Sequence, residues 1–195
     1  MDLQQLLGGS LGEEASKLIS QQLGIDATQA QSAVNLALPT ILNALNKNAS
    51  TEDGAAALTN AIANDHNGSG LSDIASLAQN ALGGEGASIL KHILGGAEQN
   101  VTNAVSQNAG IGGGQASQIL QILAPIVLNA LGNQSQQQAG GINIAGIAGL
   151  LNNIVGNQQQ HAPQNQDLIS KLLDRNNDGS VVDDVLGMLG KFLKK

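Results

Sequence analysis

Cysteine is absent from the 195-residue chain. That excludes disulfides, thiolate metal sites and cysteine nucleophiles, and is compatible with any redox compartment. Aromatic residues are nearly absent too: Phe192 is the only one, so no set of rings exists to stack on unpaired bases. Eight Lys and Arg stand against fifteen Asp and Glu, giving a net charge of −7. With so few cations to neutralise phosphates, nucleic-acid binding is excluded as a function class. No uninterrupted apolar run approaches the ~20 residues that span a bilayer. Met1–Gln5 also lacks the basic-then-apolar pattern of a secretory signal. The expected location is cytoplasmic, with leaderless export as the alternative.

What the chain does contain is aliphatic. Its apolar fraction is 42%, and Gly occurs 25 times. Such a core packs Ala, Leu, Ile and Val, with the small residues letting helices approach closely. No segment shows the alternating β-branched pattern of a strand, so the expected class is all-α. The chain also repeats itself. Ile19–Ile25 recurs as Val105–Ile111, and Leu38–Leu45 recurs as Ala124–Leu131, both at a shift of 86 residues. Residues 19–45 match 105–131 at 11 of 27 positions. The pattern predicts a tandem-repeat helical bundle of two related units. In each, a short helix stops at a Gly-Ile junction and a longer amphipathic helix follows, beginning near Asp26 or Gly114. Pro39 and Pro125 fall inside these long helices, where each removes a backbone bond and predicts a kink or a break.

Further helices are predicted over 11–22, 51–63, 71–82, 87–94, 96–108, 143–155, 166–173 and 182–193, with Ser50 or Thr51, Ser69 and Ser72 as caps. Asn133–Gln138 and Gly156–Gln166 read as flexible connectors. The expected units are 1–96 and 97–156 for the two repeats, a Gln-rich linker over 157–167, and a loop-helix module over 168–195.

The most specific chemistry lies in that last module. Asp174, Asn176 and Asp178 occupy positions 1, 3 and 5 of a loop whose sixth residue is Gly179. This is how a calcium loop begins, because alternate oxygens on a tight turn can converge on one hard cation. Ser180 would add its carbonyl, and Asp183 or Asp184 would close the site. Position 12 is Val185 instead of a bidentate Glu, which lowers the expected affinity. A shorter echo, Asp65-His66-Asn67-Gly68, reads as an Asx turn before a capped helix. His66, His92 and His161 lie on separate segments without clustered partners, which gives a zinc or nucleophilic site little support. Glu13, Glu14 and Glu85 read as helix-start charges, and Gly110–Gly114 as a helix linkage. The tail from Val185 to Lys195 is amphipathic with a basic end, suited to docking on the core or to peripheral membrane contact.

The chain resembles the bacterial family known as domain of unknown function 937. The resemblance is carried by Gln29-Ala30 through Leu38-Pro39, Asp53–Leu58, Asp65–Ser69, Gly95-Gly96, Leu123–Pro125 and Asp178–Met188. It implies a helical protein without an assigned activity. With no catalytic constellation in view, the expectation is a non-enzymatic, calcium-associated structural or interaction protein that self-associates or binds a protein partner. The alternative is a helical module for a small apolar ligand or lipid. Calcium, held with a Kd on the order of 10⁻⁴ to 10⁻³ M, should raise the melting temperature of the native protein. The Asp174→Ala/Asp178→Ala double variant should lose that response. Identical native melting curves in millimolar calcium and in chelator would reduce the loop to a turn.

Overall fold

The two Gly-Ile junctions are built alike. Gly24 (φ 62, ψ 33) and Gly110 (φ 64, ψ 38) both end a helix in the left-handed region, where a Cβ is unfavourable. Behind each, a serine hydroxyl crosses the turn: Ser20 Oγ donates to the Ile25 carbonyl at 2.8 Å, and Ser106 Oγ to the Ile111 carbonyl at 2.6 Å. These details come from a computed structural model that describes residues 9–66, 68–137 and 143–161.

Along the described residues the α-helices are α1 Ser10–Leu23, α2 Ala27–Ala49, α3 Glu52–Asn64, α4 Ile74–Asn80, α5 Gly86–Leu94, α6 Glu98–Ala109, α7 Gly113–Gln136 and α8 Ile144–His161. No strand occurs among them, so the fold is all-α. No single helix among the described residues is long and apolar enough to cross a membrane.

Helix α2 starts at Asp26, whose carboxylate accepts from the Thr28 N–H at 2.7 Å, while Gln29 Oε1 accepts from the Asp26 N–H. The Gln29 amide nitrogen then donates to the Gly110 carbonyl at 2.9 Å, tying the start of α2 to the end of α6. At α7, Gln115 Oε1 accepts from the Gly112 N–H, and Gly112 has no side chain to return the bond.

Helices α2 and α7 form the centre. Each packs against the other and against α3, α5, α6 and α8. One apolar cluster runs from Leu11 to Leu151, with Ile41, Leu45, Ile119, Leu123 and Leu131 fully enclosed. Neither proline breaks its helix. In both cases an asparagine one turn later covers the proline carbonyl: Asn43 Nδ2 donates to Pro39 O at 2.8 Å, and Asn129 Nδ2 to Pro125 O at 3.0 Å.

Several expected boundaries move. The helix predicted over 71–82 divides into a 3₁₀ turn at Ser69–Ser72, α4, and a π turn at Ala81–Glu85. The cause is Asp73, which accepts from the Ser76 N–H at 3.0 Å and its hydroxyl at 2.6 Å, and so starts a new helix. Thr51 caps α3 as expected, accepting from the Gly54 N–H. The connector read over 133–138 is helical through Gln136, where Ser135 is buried in the core-facing side of α7. Helix α8 likewise continues through His161. The helices expected over 166–173 and 182–193, and the loop of residues 174–184, lie outside the described residues.

Pro125 also leaves the Gln121 carbonyl without the backbone donor that an ordinary residue would supply four positions later. Gly86, at the start of α5, lies directly against that carbonyl, and a Cβ there would overlap it. Gly149, in α8, faces open space. Helical Gly→Ala normally stabilises by ~0.5–1 kcal/mol, so Gly149→Ala should raise stability by about that amount. Gly86→Ala should reverse the sign and cost ~1–3 kcal/mol through overpacking. Denaturant midpoints of the two variants measure the difference, and equal gains would mean that α5 does not depend on the close approach.

Candidate functional site

The loop after α3 carries His66 into the protein, where it is 4% exposed. Its backbone N–H and that of Asp65 both end α3 on the Ala61 carbonyl. Gly68, at φ 93, is then pressed against the backbone of Asn133, where a Cβ would lie 2.6 Å from the Asn133 Cα. Only glycine satisfies both the backbone angle and that space. Asn129, one turn before Asn133 on α7 and 2% exposed, meets the His66 ring: its Nδ2 lies 3.2 Å from His66 Nδ1.

Chemistry fixes the proton positions here. The Pro125 carbonyl can only accept, so the Asn129 atom facing it is the amide nitrogen. The second hydrogen of that NH₂ points to His66 Nδ1, which must therefore be the unprotonated ring nitrogen. The proton sits on Nε2, facing a Glu85 oxygen 3.9 Å away. That is too long for a hydrogen bond but close enough for attraction. The carboxylate is 44% exposed. Burial holds the His66 pKa below the ordinary 6.5, outweighing the opposite pull of Glu85 and Asp65. A proton added to Nδ1 would also confront the Asn129 donor.

His66 and Glu85 stand at one end of a half-open cavity of about 840 Å³. Helix α3 contributes Gly54, Ala57, Leu58, Ala61 and then Asp65, a single stripe at helical spacing. Opposite it, Glu85, Ser88, Ile89, His92 and Ile93 form the matching stripe on α5 and the π turn before it. Leu45 and Leu128, from the two central helices, complete the apolar lining. At the far end, Asn48 Nδ2 donates to the carbonyls of His92 and Ile93 at 3.2 and 3.1 Å, fixing α5 to α2. His92 Nδ1 faces the Ser88 carbonyl at 2.8 Å. Because that oxygen only accepts, Nδ1 carries a proton.

Residues 5–134 match the family described as bacterial protein of unknown function, DUF937. The chain belongs to that family. No curated protein and no solved structure matches it. Every residue lining the cavity lies within the matched span, which ends before α8 and before residues 178–188.

The DUF937 cavity brings together residues that the sequence pattern scatters. His66 and His92 share one chamber, and Glu85, an exposed charge at the start of α5 as expected, also faces His66. Asn129 gives no sequence signal beyond its place in the stretch Ala124–Leu131, which resembles Leu38–Leu45. The α5 stripe is visible in the sequence but reads as an ordinary amphipathic helix. The predicted metal ligands Asp174, Asn176, Asp178, Ser180, Asp183 and Asp184 lie outside the described residues. Among the described residues, no three His, Asp or Glu side chains converge as a metal-binding group.

The His66 clip sets a pH dependence. Its folded-state pKa lies below the unfolded value, so the unfolded chain takes up the proton first as the medium acidifies. His66's contribution is complete above pH 6.5 and is lost as pH falls from there through the folded-state value. Thermal melts across that window should show native stability declining faster than that of His66→Gln. Parallel curves would contradict a neutral, buried imidazole.

Proposed function

We propose that this DUF937 protein is a binding module for a small, mainly aliphatic ligand seated between α3 and α5. The observation that carries this reading is the half-open cavity of about 840 Å³ with an apolar middle and polar groups at its ends. Pockets of several hundred Å³ lined by apolar side chains with a few placed polar atoms are the usual form of small-molecule sites. Its support is structural as well. The walls belong to helices each tied to a central helix, the end of α5 to α2 by the Asn48 bonds and the end of α3 to α7 by the His66–Asn129 contact.

Calcium association and self-association are separate proposals that rest on the sequence of residues 174–184 and on the abundance of small residues. Light scattering with and without calcium addresses both.

The chain has no Trp or Tyr, so a fluorescent probe can be read against a dark background. The neutral probe N-phenyl-1-naphthylamine should bind the full-length protein saturably. Ala61→Trp, which places an indole in the cavity, should reduce that binding at least tenfold while leaving the far-ultraviolet circular dichroism helical. Equal probe binding by native protein and variant would place the ligand elsewhere, and no saturable binding by either would dispose of the proposal.

A further inference from the structure

We infer, on the basis of the ligand-binding reading above, that the cavity's occupant is a single-chain aliphatic amine whose ammonium head sits between Asp65 and Glu85. The charges at that end are of one sign. Asp65 and Glu85 line it, and no Lys or Arg lines the cavity among the described residues. His66 adds no positive charge, because its Nδ1 is occupied by the Asn129 donor and its single proton is on Nε2. Helix α3 ends there at Asn64 with its negative pole and α5 begins there at Gly86 with its positive pole, so the two dipoles offset and the side-chain carboxylates set the sign. A carboxylate or phosphate head would meet two carboxylates with no compensating cation. An ammonium offers three N–H donors to groups that accept.

The opposite end does not compete for that head. The Asn48 amide is committed to the carbonyls of His92 and Ile93. Between the ends run Leu58 and Ala61 on α3, with Ile89 and Ile93 opposite. The helical rise from Gly86 to Ile93 is roughly 10 Å at 1.5 Å per residue, which suits a medium-length straight chain more than a long lipid tail.

Three eight-carbon probes that differ only in the head separate the possibilities: octylammonium, octan-1-ol and octanoate, each competing with N-phenyl-1-naphthylamine on the full-length protein. Octylammonium should displace the probe at the lowest concentration and octanoate at the highest. Glu85→Gln should cut the preference for octylammonium over octan-1-ol by about twofold to fivefold, the scale of a partly exposed charge pair. Octanoate matching or exceeding octylammonium, or a preference unmoved by Glu85→Gln, would overturn the assignment while displacement by octan-1-ol left the cavity reading intact. Failure of all three probes to displace bound N-phenyl-1-naphthylamine would also overturn the assignment, whereas the cavity reading falls only if that dye itself fails to bind saturably.

Discussion

One carboxamide governs the cavity end of this protein. The Asn129 NH₂ group spends one hydrogen on the Pro125 carbonyl and the other on His66 Nδ1. Proline is what makes the arrangement asymmetric: with no N–H to give, it disturbs the hydrogen-bond ladder of α7 at that turn. The side chain one turn later covers the proline carbonyl, and in doing so fixes which ring nitrogen of His66 carries the proton. Each bond contributes only ~0.5–1.5 kcal/mol net, but leaving either buried partner unsatisfied costs ~1–3 kcal/mol. The clip is therefore more important for what it disfavours than for what it adds. It disfavours a protonated imidazole, a rotated Asn129 and a loop lifted from α7.

The same proline also bears on the packing. It leaves the Gln121 carbonyl without its usual donor, and α5 closes on that carbonyl through Gly86. A core without rings has to be filled by aliphatic side chains, and close helix approach is how Ala and Gly make such a core dense. Helix α5 is thus held near α7 at its start and near α2 at its end, through Asn48. The space left between α5 and α3 is the cavity. The equivalent asparagine in the first long helix, Asn43, makes the same bond to its own proline carbonyl. Only the second position has His66 brought to it, so two locally similar stretches serve different ends.

Much of the helical layout could be read from the residues, because capping and glycine termination are local. Thr51 and Asp26 announce helix starts, and Gly24 and Gly110 announce helix ends. Where reading failed, competing local chemistry decided. Asp73 restarts a helix that periodicity alone would carry through, and the polar stretch Asn133–Gln136 is the continuation of the buried helix α7. The site was far less legible. His66 and Asn129 are 63 residues apart, and nothing in the spacing of either predicts that they meet. Glu85 is the exposed helix-start charge that the sequence suggests, but its approach to His66 on another loop leaves no trace in the spacing. The DUF937 membership was legible because it rests on short, ordered motifs along one stretch of chain.

The central claim is that a neutral His66, protonated on Nε2 alone, is locked by Asn129. Long-range ¹H–¹⁵N correlation of the histidine rings in uniformly ¹⁵N-labelled protein, with His66→Gln to assign the signals, reads this directly at neutral pH. The account predicts an unprotonated, acceptor-type Nδ1 and a protonated Nε2 for His66. A proton on Nδ1, an imidazolium, or rapid averaging between tautomers would contradict it.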